Sequence, residues 1–130
     1  MIENQRKWSD PIVWTHILFL INAVLYLEAA YYVLTSTLFA NCCASLAYHL
    51  TRETSKFWRF WDHRLCYVSV LLIFTYLICF ASSKAIFISS LWLLFSLCIY
   101  RLAKHQYEKL HALWHGAVFV GNLIVWHCLR

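Results

Sequence analysis

Three groups of polar residues interrupt the long apolar runs of this chain. Ser45-Leu-Ala-Tyr-His49 sets a hydroxyl and an imidazole one helical turn apart, on one face. Asp62 stands at the head of the next apolar run, and His111-Ala-Leu-Trp-His115 opens the last one. Two histidines at i and i+4 on a helix can chelate one ion, as in the H-E-x-x-H arrangement. Zinc takes imidazole ligands readily, and catalytic zinc sites have three protein ligands and one open position for water. His49, His111 and His115 would supply three ligands. Asp62 and Ser45 would then orient a ligand or the water, whose pKa zinc lowers toward about 7. The residue types leave two other uses open, haem ligation and helix packing. Two histidines on one helix face suit a single ion better than a facing pair of axial ligands.

The remaining polar residues read more plainly. His16, His63, His105 and His127 are expected as interfacial or hydrogen-bonded residues, as single histidines near helix ends usually are. Glu28 is expected at headgroup level, and Asn122 as a hydrogen-bonding group between helices.

The elements that position these residues follow from composition. Of 130 residues, 62% are hydrophobic and 13% charged, with Gly 2 and Pro 1. Soluble domains carry about 45–50% apolar and about 25% charged residues, and a small one cannot hide this much apolar surface. So few turn residues argue against an all-β chain. The expected class is therefore all-α, a multi-pass transmembrane bundle forming one domain. Five segments suit it: about 11–32, 34–50, 62–81, 85–100 and 108–129. Each is near the roughly 17–25 residues that cross the hydrocarbon core. Pro11 after Ser9-Asp10 marks the first start. Arg6-Lys7 before a long run without a prompt small-residue cleavage site suggests an uncleaved first helix rather than a signal peptide. The six cysteines fall in or at the ends of apolar runs, with no C-x-x-C pair, and read as small hydrophobes.

Charge gives the orientation. Arg6, Lys7, Arg52, Lys56, Arg59, Arg64, Arg101, Lys104 and Lys109 fall on one side of an alternating five-helix topology. Only Lys84 and Arg130, of the 11 basic residues, fall on the other. The positive-inside rule then puts the N-terminus in the cytosol. The net charge of +5 is explained by topology and anionic headgroups, and no exposed basic domain remains for nucleic acid. This topology carries Ser45, His49, Asp62, His111 and His115 to similar depths at the cytosolic face.

Ser-x-x-x-His at a helix end, Asp at the next start and His-x-x-x-His at the start of the last helix resemble the superfamily of alkaline ceramidases and adiponectin receptors, which are membrane hydrolases. The run from His111 to Gly116 and the short interval from His49 to Asp62 look most like the ceramidases. The resemblance implies zinc on His49, His111 and His115. It implies that Asp62 holds or deprotonates the water and that Ser45 hydrogen-bonds the water or the developing oxyanion. It implies cleavage of the amide of a ceramide-like lipid drawn from the bilayer. Family members have seven helices. Losing two preserves the parity of the last helix, and a homo-oligomer or a shallower, lipid-open site would compensate for the missing cavity wall.

Overall fold

Every regular element among the described residues is a helix, and five stretches are long and apolar enough to cross a membrane. The computed structural model describes residues 6–130, and only the backbone of residues 108 and 109. The helices are α1 (Pro11–Trp14), α2 (Ile17–Glu28), α3 (Tyr32–Leu50), α4 (Lys56–Phe80), α5 (Ser83–His105) and α6 (Tyr107–Leu129). Exposed apolar side chains are spread along them: Leu71, Ile78 and Phe80 are each about two-thirds exposed (68%, 69% and 68%). That much bare apolar surface suits hydrocarbon and not water. The chain is thus consistent with an integral membrane protein.

The helix bounds differ from the expected ones in instructive ways. The third membrane helix starts at Lys56, not Asp62, and the fourth runs on to His105 rather than ending at Tyr100. Lys, Arg and Trp are polar or amphipathic, yet they do not break helices. Their long side chains reach the interface while the backbone continues. The start signals are local instead. Ser55 Oγ accepts the Trp58 N–H at 3.3 Å, and Ser82 Oγ accepts the Ala85 N–H at 3.2 Å.

The first two membrane helices end in matching ways. At the end of α2, Ala30 N–H donates to Leu27 O and Tyr31 N–H to Tyr26 O, with Ala30 at φ 61°. At the end of α3, Arg52 N–H donates to His49 O and Glu53 N–H to Tyr48 O, with Arg52 at φ 50° and Glu53 at φ 58°. Both are Schellman closures, in which the left-handed position is usually glycine. Here Ala30 and Arg52 hold it against a cost of roughly 1–2 kcal/mol each.

The contacts divide the chain into two units, Met1–Val70 and Leu71–Arg130. In the first, α1 and α2 pack on α3. Phe19, Ala23 and Tyr26 of α2 are buried, as are Leu34, Leu38, Cys42, Ser45 and His49 of α3, at helical spacing. In the second, α5 and α6 form an antiparallel pair. The buried positions of α5 are small, Ala85, Ser89, Ser96 and Ala103, and α6 buries Ala117 beside larger residues such as Asn122 and Val125. Small side chains let membrane helices approach closely where no hydrophobic drive between them remains. Trp92 of α5 donates its indole N–H to Ala117 O at 2.7 Å. A Cβ at Gly121 would lie 2.5 Å from Trp92 Cδ1, so the absent side chain makes room for the indole. At Gly116 a Cβ would meet nothing within 4 Å.

Two substitutions test these points in detergent unfolding. Gly121→Ala is expected to lower stability by about 1–3 kcal/mol, because the hydrogen-bonded indole cannot swing aside. Ala30→Gly is expected to raise it by about 0.5–1 kcal/mol, the relief of the left-handed penalty less glycine's own entropy cost.

Candidate metal centre

The first unit gathers four polar residues from three elements. His16 lies in the break between α1 and α2. Thr15 Oγ1 donates to Pro11 O at 2.7 Å and lies 3.1 Å from Ile12 O, a back-bonding pattern that bends helices. The backbone tightens here, with His16 N–H bonded to Val13 O and Leu18 N–H to Thr15 O. The distortion aims His16 inward, where it is 2% exposed. Its Nδ1–H donates to Val13 O at 3.0 Å. Nε2 must then be the acceptor, and Ser45 Oγ–H donates to it at 3.0 Å.

His49 lies at the end of α3, one turn beyond Ser45, and is also 2% exposed. Its Nδ1–H donates to Glu53 Oε1 at 2.7 Å. The His16 and His49 rings are 5.2 Å apart. Both imidazoles therefore carry a proton on Nδ1, and in the neutral ring the lone pair is on Nε2. Metal-binding histidines are commonly oriented this way, with the second ring nitrogen donating to a carboxylate or a carbonyl. Asp62, half-buried in the second turn of α4, stands beside Ser45 and His49.

Glu53 is the anchor of His49. Its carboxylate accepts from Arg6 Nε at 3.3 Å and Arg6 Nη2 at 3.1 Å as well as from His49. Burial pushes its carboxyl upward, but the hydrogen bonds from His49 and Arg6 and the charges of both residues outweigh burial and hold it below the ordinary 4.5.

In the second unit, His111 and His115 lie on one face of α6, with ring centroids 4.8 Å apart. His115 is fully buried and His111 nearly so. Tyr107 lies over the His111 ring at 4.3 Å, and Trp114 borders both imidazoles. The i, i+4 spacing thus gives the adjacent pair that it promised.

Of the residues expected from the sequence, Ser45, His49 and Asp62 come together in the first unit, and His111 and His115 in the second. Two residues were not anticipated. His16, expected as an ordinary hydrogen-bonded histidine, is bonded to Ser45 and stands beside His49. Its position near the N-terminal end of the first membrane helix, which an alternating topology puts at the depth of His49, was the available signal. Glu53, which falls between the expected helices 34–50 and 62–81, completes a His49-x-x-x-Glu53 pair at i, i+4. His63, His105 and His127 are exposed, as is Glu28. Asn122 is buried on α6. No family model, curated protein or solved structure matches this chain.

A carboxyl depressed on folding contributes stability that is present above its unfolded value and lost as pH falls through its folded value. Thermal unfolding of the metal-stripped protein is therefore expected to show stability falling as pH drops below 4.5. Glu53→Gln is expected to flatten that part of the profile. An identical slope in both proteins would show that Glu53 is not responsible.

Proposed function

We propose that this protein is a zinc-dependent membrane hydrolase acting on an amide-linked, ceramide-like lipid. The observation that carries the reading is the pair of buried imidazoles, His16 and His49, each anchored through Nδ1–H, with Ser45 and Asp62 alongside. This donor chemistry fits zinc, which favours imidazole nitrogen in sites that keep one open position. The resemblance to alkaline ceramidases implies His49, His111 and His115 as the ligands, and His16, a buried imidazole beside His49 in the first unit, is the alternative donor.

When bound, zinc would polarise the amide carbonyl and make water a nucleophile near neutral pH. The chain's own residues do the rest. Asp62 accepts a proton from the attacking water and returns it to the departing nitrogen, as a general base and then a general acid. Ser45 donates a hydrogen bond where negative charge grows on the carbonyl oxygen. The water oxygen ends on the acyl carbon, the C–N bond breaks, and a fatty acid and an amine leave. A site at the cytosolic ends of the helices would meet a lipid amide at headgroup level while the acyl tails remain in hydrocarbon.

One observation favours a second reading: His16 stands beside His49 as a further buried imidazole, and a zinc with four protein ligands keeps no position for water. The zinc would then be a staple in a receptor or scaffold without turnover.

Zinc content and hydrolysis of the purified protein separate these readings. Wild type is expected to hold near-stoichiometric zinc and to release fatty acid from an N-acyl lipid faster than from the matching ester. Asp62→Asn is expected to keep the zinc and lose about 10²–10⁴-fold in turnover. His16→Ala and His111→Ala, assayed for zinc, identify the third ligand, and loss of zinc in both supports the staple. Wild-type protein without zinc sinks both readings. Full turnover in Asp62→Asn sinks the role of Asp62.

A further inference from the structure

Arg6 is an unusual residue to find buried, with its side chain only 7% exposed. Among the described residues, its guanidinium reaches two carboxylates with its planar fork. Nε and Nη2 go to the two oxygens of Glu53, at 3.3 and 3.1 Å, and Nη1 goes to Asp10 Oδ2 at 3.0 Å. Its backbone N–H donates to Leu50 O at 3.1 Å, at the last turn of α3. Each carboxylate that it holds has a second task. Asp10 Oδ1 accepts Ile12 N–H at 2.9 Å and so caps α1, the turn that leads into His16. Glu53 Oε1 accepts Nδ1–H of His49 at 2.7 Å. One guanidinium therefore ties the start of the element that carries His16 to the residue that orients His49.

The backbone supports the same point. Arg52 and Glu53 are consecutive non-glycine residues at positive φ. This left-handed pair turns the chain back on itself and returns the Glu53 carboxylate to the ring of His49. An ordinary exit from α3 would carry the carboxylate onward instead. Bidentate pairing with Arg6 offsets the strain and leaves the carboxylate one orientation.

We propose that Arg6 and Glu53 are positioning residues that fix the tautomer of His49 and its setting beside His16, and thereby the metal affinity of the centre. The proposal rests on the zinc reading above for its consequence, but not for the hold of Glu53 on His49. Arginine is required, because lysine cannot span two carboxylates with a planar fork.

The test uses the full chain in detergent micelles, stripped of metal by a chelator. Long-range proton–nitrogen NMR of labelled histidine reads the tautomer, and cobalt titration by visible absorption reads affinity. His49 is expected as the Nδ1–H tautomer in wild type and in Glu53→Gln, whose amide oxygen still accepts from Nδ1–H. In Glu53→Ala the tautomer is expected to be lost and cobalt affinity to fall about 10–100-fold. Arg6→Lys is expected to weaken cobalt binding while Glu53→Gln largely retains it. A Glu53→Ala protein with the wild-type tautomer and wild-type cobalt affinity overturns the proposal. Should that variant not fold, Arg6→Lys with both readouts unchanged overturns it equally. If His49→Ala binds cobalt as tightly as wild type, His49 is not a ligand and the metal reading falls. The tautomer readout then still decides whether Glu53 orients His49.

Discussion

An imidazole buried among apolar helices is costly unless a protein group takes up its polar atoms. The first unit is organised around meeting that demand twice. His16 gives its Nδ1–H to a carbonyl that the break at Thr15 makes available, and its Nε2 accepts from Ser45. His49 gives its Nδ1–H to Glu53, which Arg6 holds. Much of the local irregularity follows. A helix broken after its first turn, a left-handed closure without glycine and a buried arginine all belong to one hydrogen-bonded chain. Each would be unfavourable alone, and each is stabilised by the next.

The second unit uses different means. Its helices approach through small residues, with a tryptophan filling the space that Gly121 leaves. The indole of Trp92 on α5 also donates to a carbonyl already in helix α6. Close packing of small residues holds α5 against α6. Its two histidines sit on one face of α6 among aromatic rings, which keep the imidazoles flanked by Tyr107 and Trp114.

The helical class and the number of membrane-length helices were legible because hydrocarbon demands long apolar stretches with all backbone bonds made internally. The ends were less legible. Lys56, Arg59 and Trp61 looked like a connection because they are polar or amphipathic, yet they sit comfortably in a helix that emerges into the interface. The i, i+4 pairs Ser45/His49 and His111/His115 were legible because helical periodicity makes them neighbours whatever surrounds them. His16 was not, because nothing in its immediate sequence says that Thr15 will bend the chain and turn the ring inward.

The sequence by itself determined the all-helical class, the five apolar stretches and the within-helix pairs of chemistry-bearing residues. These depend on composition and on a fixed period of 3.6 residues. Only the tertiary structure decided that Ser45 bonds to His16, that Arg6 and Glu53 brace His49, and that the anchored imidazoles present Nε2. Those contacts join residues 29 and 47 positions apart. No period relates such residues. They meet because two bent backbones, at Thr15 and at Arg52-Glu53, happen to point their side chains at the same buried space.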